Sequence, residues 1–584
     1  MAILHLGGTR LAPVKAKAPL NRRFMYAIGF IYLLAMHFYI PNNGQSGLSL
    51  PFNIAIWMGL SWVFFIGLRQ IVVNRQVRYS KLTIGLLISC LIMSIPFVYS
   101  VPVAITGTVN KLTGLWLGWL LFLLLQQFSL SNAHKQRLLW FIVLAALIEA
   151  LLAYIQYFFL GQGNLIGYDQ TSNQPYGIFQ NINTMSTFLA SGLVLSGYLL
   201  SRQQRKYGEK ISRTTLLYLA PLILTPVIIL LASRTSWLIT LISVTLLLPY
   251  LFKFSTRKRF LGWIGSLLAG IAIGLIIAFS SGNSGYVAGE VELESARKTV
   301  LPQAADMFIE KPFTGYGQGR FEAEYILYTA RQHQLNPGYP AAVENIRHPF
   351  NEVLYWGIEG GLLPVLGISL AAFLVLMRIS STRKGTRLAI FALLMPIALH
   401  AQIENPFNLS AIHWVTFVIL LYWVDQRTAK YKRYATHKYI NSGVRMFALL
   451  LPLALCSYMA LTFQASYQLT QFAKSYPKQE KVLEEIIAPL SFQNQVEWLK
   501  HSSRFRSGLV AQDLASTQEF ILWARQAIKK QPTRLLYRNL ILAYFATGEV
   551  SKAEQIRDEA GYLFPDSDFS MLYLEPIVKT EKQN

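Results

Sequence analysis

The chain has 584 residues, of which 53% are hydrophobic and only 14% are charged, and its mean hydropathy is +0.36. A soluble domain carries about 25% charged residues, so this composition excludes a disordered chain, a collagen-like chain and an ordinary cytosolic enzyme. The net charge of +24 is typical of nucleic-acid-binding proteins, but the distribution of the charge argues against that class. Two cysteines, Cys90 and Cys456, are too few for a disulfide scaffold.

Thirteen apolar segments approach or exceed the length needed to cross a membrane, which is about 20 residues. They are 24–40, 51–68, 82–99, 112–128, 138–160, 183–200, 214–232, 236–252, 260–280, 362–377, 387–401, 411–424 and 446–464. The pattern predicts an all-α polytopic membrane protein with about 13 transmembrane helices.

Lysines and arginines in the connecting segments predict the orientation, because basic residues concentrate on the cytoplasmic side. With residues 1–23 in the cytoplasm, the cytoplasmic segments hold 30 of the 53 basic residues and two acids, Glu209 and Asp425. The five short outer loops hold only two basic residues, Lys111 and Arg234. The basic excess is therefore a signal of topology, and we expect no nucleic-acid partner.

Three parts follow from this topology. They are a cytoplasmic N-terminus (1–23), a transmembrane domain (24–464) with a long outer loop at 281–361, and an outer C-terminal domain (465–584). In the last part, Pro532 and Pro565 are 33 residues apart, close to the 34-residue tetratricopeptide (TPR) period. This predicts a TPR-like helical domain that either docks a partner or caps the outer face.

Polar clusters at the outer ends of helices are the main indication of an enzyme, since charge near the hydrocarbon core is costly. Arg234, in a tight turn between two helices, either binds phosphate or is a snorkelling arginine. Arg297 and Arg347 in the long loop either neutralise a diphosphate or pair with the acids of that loop. The loop has no GxxxxGK[ST] pattern, which excludes a nucleotide site of that kind.

A second cluster begins at His348. If the chain is helical after Pro349, His348 lies at the N-terminal end of that helix, near Asn351. A histidine there accepts a proton from a hydroxyl near neutral pH, and the helix end favours an anion. The alternative is a solvated loop histidine.

Two further clusters are polar but less specific. His400, Glu404 and His413 crowd one outer loop, where their spacing matches no HExxH pattern and favours hydrogen bonding over a metal site. Gln180 and Asn183 precede a helix, where amides suit sugar or phosphate oxygens, although N-capping by Asn181 or Asn183 is the alternative. Glu149, inside an apolar helix, is either a buried partner of another helix or part of the site.

These residues together resemble the bacterial O-antigen ligase and polymerase superfamily over about residues 20–430. The matching features, in chain order, are the segments 177–183, Ser233-Arg234, Arg297, 312–317 and 348–361. Two features resemble its PglL-like protein O-oligosaccharyltransferase branch, namely 41–53 and the series His400, Glu404-Asn405-Pro406, Ser410 and His413-Trp414. One departure is that the family histidine often stands directly before the asparagine, where this chain has Phe350.

The resemblance implies transfer of a preassembled oligosaccharide from undecaprenyl diphosphate to serine or threonine hydroxyls of a periplasmic or pilin-like acceptor protein. It places a multi-pass enzyme in the bacterial inner membrane, in contact with membrane lipid, with its active site and C-terminus in the periplasm. We expect no cofactor and no metal. The alternatives are an O-antigen ligase that acts on lipid A core and, from a different class, a glycolipid transporter or flippase.

The expected site follows from the clusters and the resemblance together. The catalytic candidates are His348, Arg234 and Arg297. The candidates for substrate binding are Gln180, Asn183, Arg347, Asn351, Glu359, His400, Glu404 and His413.

Overall fold

The computed structural model describes residues 20–40, 47, 50–99, 105–168, 170, 173–203, 211–280, 285–476, 478–487 and 490–576. Most of the predicted cytoplasmic segment 1–23 and the family-like motif at 41–44 lie outside these residues. The regular secondary structure of the described residues is helical except for two short strands, so the predicted all-α class is confirmed.

Within the described residues, the first half of the chain contains ten α-helices. They are α1 (Asn21–Leu33), α2 (Pro51–Asn74), α3 (Lys81–Ser94), α4 (Pro96–Tyr99), α5 (Ile105–Leu125), α6 (Asn132–Phe159), α7 (Ile182–Ser201), α8 (Ile211–Leu230), α9 (Arg234–Phe254) and α10 (Arg257–Ser280).

The described part of the second half contains thirteen more α-helices. They are α11 (Gly285–Glu310), α12 (Phe321–Leu335), α13 (Glu352–Gly360), α14 (Leu362–Ser380), α15 (Arg387–His400), α16 (Pro406–Leu409), α17 (Ala411–Asp425), α18 (Lys438–Lys474), α19 (Glu480–Glu484), α20 (Gln493–Val510), α21 (Leu514–Lys530), α22 (Arg534–Ala546) and α23 (Val550–Leu563). Two short antiparallel strands, β1 (Gln76–Tyr79) and β2 (Lys432–Ala435), pair beside the start of α18.

Nine helical segments within the described residues are long and apolar enough to cross a membrane. They are α2, Lys81–Tyr99, α6, α7, α8, α9, α10, α14 and α18. The other four predicted segments contain α1, α5, α15 and α17, and among these the apolar stretches Val109–Leu125 and Ala411–Asp425 are shorter than the nine. The protein is thus a multi-pass membrane protein, while the exact number of spans stays a prediction.

Short polar side chains begin several of these helices by satisfying their free backbone N–H groups. The side chains of Ser131, Asn181 and Ser233 accept hydrogen bonds at the starts of α6, α7 and α9. One boundary prediction is wrong: Lys111 does not lie in a loop, because α5 begins at Ile105 and includes it.

Close packing of α8 on α10 depends on two glycines of α10 that are four residues apart. A Cβ at Gly270 would lie 2.8 Å from the carbonyl oxygen of Pro221, and one at Gly274 would lie 2.8 Å from the Cα of Pro226. Small residues at this spacing let the backbones of membrane helices approach each other.

We expect Gly270→Val to lower the thermal unfolding midpoint of the detergent-purified protein, with a loss of about 1–3 kcal/mol from overpacking. Gly265→Val in the same helix is the matched control, because a Cβ there meets no atom within 4 Å. Equal midpoints for the two variants would contradict the packing argument.

The long loop and the C-terminal tail form one packed unit, called the extramembrane unit after its predicted position and defined by residues 296–361, 478–487 and 490–576. Its core joins Val300, Tyr325 and Ile358 of the loop to Phe520 and Leu540 of the tail in one hydrophobic cluster. Helix α18 is long enough to reach from a membrane into this unit, because its 37 residues span about 55 Å whereas a hydrocarbon core is about 30 Å thick. Leu469 and Phe472, near the end of α18, pack against the start of the tail.

Candidate functional site

A buried carboxylate, Glu404, lies where four distant parts of the chain meet. Its Oε1 accepts hydrogen bonds from Asn183 Nδ2 at 2.6 Å and from Arg297 Nη2 at 2.8 Å. Its Oε2 lies 3.1 Å from Nε2 of His400. Asn183 Oδ1 accepts a 2.5 Å bond from Ser233, the residue before Arg234. Glu404 therefore connects α7, α9, α11 and α15.

The charge of Glu404 is maintained by these partners. Burial raises the pKa of a carboxyl group, but His400, Arg297 and Asn183 outweigh burial and hold the pKa of Glu404 at about 2. The carboxylate is thus ionised at neutral pH and pairs with the guanidinium of Arg297, which is itself only 9% exposed.

Two histidines continue the hydrogen-bond chain into the bundle. His400 Nδ1 lies 2.8 Å from Oγ1 of Thr187, and that hydroxyl lies 3.3 Å from Nε2 of His413. His413 Nδ1 in turn lies 2.9 Å from the hydroxyl of Ser410. Both histidines are almost fully buried, so this series of hydrogen bonds fixes the position of Glu404 from the interior of the bundle.

Arg297 has donors to spare after pairing with Glu404. Its Nη1 donates to Thr235 Oγ1 at 3.2 Å, and its guanidinium lies over the ring of Phe350, 5.7 Å from the centroid. Its Nε is buried with no hydrogen-bond partner among the described residues. Phe350 has a φ of 54°, which a non-glycine residue adopts at a cost, as often occurs at functional sites.

His348 lies beside this arginine. Burial lowers the pKa of His348, Arg297 and Arg347 lower it further, and Glu404 opposes them, so the ring is neutral at neutral pH. Its Nδ1 accepts the backbone N–H of Phe350 at 3.3 Å. A neutral imidazole with Nδ1 as the acceptor carries its proton on Nε2.

Arg234 is the first residue of α9, directly after the capping residue Ser233. Its side chain is exposed, whereas Ser233 and Ser236 are fully buried and both donate to Asn183. The turn therefore holds Arg234 one residue away from the Glu404 network. The sequence left two choices for the N-cap of α7, and the structure assigns that role to Asn181, which leaves Asn183 to the network.

Gln180 and Asn351 lie in the two turns that flank this network. Gln180 has a φ of 53° and lies beside Tyr39. Its turn is fixed by Glu149, which accepts the N–H of Ile178 at 3.2 Å and also pairs with His37 at 2.6 Å. Glu149 thus has the role of a buried partner of another helix.

Asn351 caps α13 and donates a hydrogen bond to the backbone carbonyl of Gln402 at 3.2 Å.

Glu359 is at the far end of α13 and pairs with a residue that the sequence analysis placed in a loop. Its Oε2 lies 2.5 Å from Nζ of Lys111, and both side chains are buried. The same ammonium lies 3.2 Å from the centroid of the Tyr355 ring. This pair attaches α13 to α5. The signal for Lys111 was its rarity, as one of two basic residues in the predicted outer loops.

Removing one member of the Lys111–Glu359 pair leaves an unpaired buried charge, so we expect Lys111→Met or Glu359→Leu to cost about 3–5 kcal/mol each. The double variant Lys111→Met/Glu359→Leu should regain most of that loss, because no charge stays buried alone. Thermal unfolding in detergent measures all three. Additive losses in the double variant would show that the two side chains act separately.

Glu352 lies in the first turn of α13 and is 8% exposed. Burial raises its pKa to about 7, although Lys111 and a hydrogen bond from Trp356 act in the opposite direction. The side-chain amide of Asn405 lies against this carboxyl group. Glu352 was not among the predicted site residues, since nothing in its local sequence marks it as buried.

The raised pKa gives a pH-dependent prediction. The folded protein binds the Glu352 proton more tightly than the unfolded chain, so wild-type stability falls as the pH rises from about 4.5 through 7. Glu352→Gln mimics the protonated form and should be more stable than wild type at pH 8, by about 3 kcal/mol. The two proteins should match near pH 4.5. A difference that does not vary with pH between 4.5 and 8 would contradict this assignment.

A cavity of about 990 Å³ opens between this region and the tail. Lys111, Arg347, His348 and Tyr355 line the side nearest the bundle. Residues of α20, α21 and α22 line the other side. Within the described residues, no group of three or more histidine, cysteine, aspartate or glutamate side chains is arranged to hold a metal ion.

Comparison with known proteins gives three matches. Residues 219–368 match the family described as O-Antigen ligase, and residues 388–575 match the family described as virulence factor membrane-bound polymerase, C-terminal. A general O-oligosaccharyltransferase of Acinetobacter baylyi is 27% identical over 315 residues, which are 50% of this chain and 52% of that protein. The predicted resemblance to O-antigen ligases and PglL-like proteins is confirmed.

The matched regions contain much of the site, although Asn183 and Thr187 of α7 lie outside them. The first includes Arg234, Arg297, His348 and Glu359, and the second includes Glu404 and the tail. The chain spans about half the length of the curated relative it matches.

Proposed function

We propose that this protein transfers a preassembled oligosaccharide from undecaprenyl diphosphate to serine or threonine hydroxyls of exported proteins. The observation that carries the proposal is the Arg297–Glu404 pair, which holds a cation with unused N–H donors at the membrane end of the extramembrane unit. The modest identity to a general O-oligosaccharyltransferase supports a protein acceptor.

The proposed setting is the bacterial inner membrane with thirteen spans, residues 1–23 in the cytoplasm and the extramembrane unit in the periplasm. The domain boundaries are those expected from the sequence, with 24–464 as the transferase domain and 465–584 as a TPR-like domain. A donor with a polyprenyl tail stays in the lipid, so its diphosphate lies at the membrane surface. The side chains around Glu404 are gathered at one end of the bundle, which suits that position.

In the proposed reaction, the acceptor hydroxyl attacks the anomeric carbon while the bond from that carbon to the diphosphate breaks. Arg297 and Arg234 stabilise the negative charge that develops on the departing diphosphate, and Arg347 contributes at the cavity side. No metal is needed in this scheme. A direct displacement inverts the anomeric centre, and the hydroxyl proton leaves with the diphosphate or with a nearby base.

His348 has a narrower role in this scheme than a general base. With Nδ1 accepting the Phe350 N–H, its protonated Nε2 donates to an anionic or hydroxyl oxygen of the substrate. Asn183, His400, Glu404 and His413 then act as positioning residues that fix Arg297. Gln180, Asn351 and Glu359 shape the surrounding turns.

The test is reconstitution with an undecaprenyl-diphosphate-linked oligosaccharide and a candidate acceptor protein. We expect Arg297→Ala to lower the transfer rate by about 10²–10³-fold, the usual loss when one charge-stabilising donor is removed. Arg297→Lys should retain part of the rate. The transfer rate of Arg234→Ala should lie between the rates of Arg297→Ala and Arg297→Lys.

The matched control is Arg331→Ala in the same loop, because Arg331 is exposed and pairs with Glu310. Thermal midpoints separate lost chemistry from lost folding. Full transfer by both Arg234→Ala and Arg297→Ala would show that these arginines do not stabilise the departing diphosphate. Transfer that requires ATP would exclude the mechanism.

A second candidate is transfer of O-antigen to lipid A core, which the match of residues 219–368 to the O-antigen ligase family favours. The same assay distinguishes it, because lipid A core would then accept the glycan and the protein would not.

A further inference from the structure

The cavity between the loop and the tail, called the tail cleft below, has a distinctive lining on its tail side. Trp498 of α20 and Trp523 of α21 contribute aromatic rings. The remaining polar lining there is rich in neutral amides, contributed by Asn494, Gln495, Gln526 and Gln531. The site described above uses none of these residues.

The two tryptophans are held in fixed positions. Trp523 stacks on His501 with ring centroids 4.7 Å apart and planes 16° apart, and it lies 6.0 Å from Trp498. Beneath them, Phe505 and Phe520 stack at 4.4 Å and connect α20 to α21. The aromatic wall is therefore preorganised, which lowers the entropic cost of binding a ligand.

The walls of the cleft are also fixed relative to each other. Gln531 of the tail donates to Glu322 of the loop at 2.9 Å, and Arg534 pairs with Glu344 at 2.5 Å. These contacts cross the cleft between two parts of the chain that lie about 200 residues apart, as the separation of 209 residues for the first pair shows.

The charges around the tail cleft nearly cancel. Four basic side chains line it, namely Lys111, Arg347, Lys530 and Arg534, against three acids, Glu322, Glu344 and Glu497, a net of 4 − 3 = +1. Such a weak field does not select a strongly charged peptide or polyanion. Tryptophan faces and side-chain amides instead match sugars, whose ring C–H groups are apolar and whose hydroxyls both donate and accept.

The size and lining of the tail cleft fit an extended ligand. Its volume of about 990 Å³ is at the upper end of the range for ligand pockets, roughly 300–1,000 Å³. Its lining includes Arg347 and His348, beside the proposed diphosphate position, as well as both tryptophans.

We propose that the tail cleft binds the outer sugars of the donor oligosaccharide, which stack on Trp498 and Trp523 and hydrogen-bond to Asn494, Gln495 and Gln526. This inference rests on the proposed function, because it takes the lipid-linked glycan as the donor. The tail would then provide a binding subsite for the sugars beyond the first, so that donors with longer glycans bind more tightly.

The experiment compares two donors that share the same first sugar, undecaprenyl diphosphate carrying one sugar and undecaprenyl diphosphate carrying four. For Trp523→Ala we expect KM for the long donor to rise about tenfold or more, which is about 1.4 kcal/mol. The kinetics with the one-sugar donor should not change. Trp523→Tyr, which keeps an aromatic face, should recover part of the loss.

Two variants guard against a folding defect. Leu522→Ala in the same helix is the matched control, because Leu522 is 69% exposed and does not line the cleft. Gln526→Ala alters an exposed lining side chain, and it should raise KM for the long donor even if Trp523→Ala unfolds.

A second readout does not depend on transfer. The free four-sugar oligosaccharide, released from its carrier, should show saturation-transfer NMR signals with the wild-type protein and much weaker ones with Trp523→Ala. If wild type transfers neither donor but still binds this oligosaccharide through Trp523, the proposed function fails and the cleft assignment holds.

Other outcomes overturn the cleft assignment while transfer itself persists. One is that Gln526→Ala and a folded Trp523→Ala show wild-type KM values for both donors. Another is an equal loss on both donors at a normal thermal midpoint. A third is a raised KM for the acceptor protein alone, which would assign the tail cleft to the polypeptide.

Discussion

A guanidinium that is 9% exposed beside an apolar bundle is stable only when an ionised partner lies within hydrogen-bond distance. Arg297 meets that condition through Glu404, and Glu404 in turn requires Asn183 and His400 to stay charged. Asn183, Arg297 and the neighbouring pair His400 and Glu404 come from three different parts of the chain, so the site cannot form before α7, α11 and α15 have packed. The geometry of the arginine is thus a property of the whole bundle rather than of the loop that carries it.

The same constraint recurs at other places in the molecule. Lys111 with Glu359 attaches α13 to α5, and Asp425 with Arg378 connects α17 to α14. Each pair joins residues that are distant in sequence. Burial makes the loss of either partner costly, so such pairs specify which helices are neighbours where apolar packing alone would tolerate alternatives.

Hydropathy was enough to find a helix in each of the thirteen apolar segments, because a membrane span depends on local composition. The cap of α13 by Asn351 was equally local. Partners at long range were not predictable in this way. Their spacing in the sequence correctly predicts that His400, Glu404 and His413 are neighbours, but their connection to Arg297 needs helices that are about 100 residues apart. Lys111 was assigned to a loop because a lone lysine at the edge of an apolar run looks like a boundary, and only its partner Glu359 explains its burial.

The hydrophobic core shared by loop and tail has a consequence for how the gene can be divided. Phe520, Leu540 and Tyr544 bury their side chains in a cluster with Val300, Tyr325 and Ile358. Expressed as a separate soluble fragment, the tail would expose these apolar side chains to water and would tend to aggregate. The loop, deprived of its cover, would lose the surface on which Phe350 and Arg297 are arranged. The two segments therefore form one structural unit, which must be kept or exchanged as a whole when the protein is truncated or its domains are swapped.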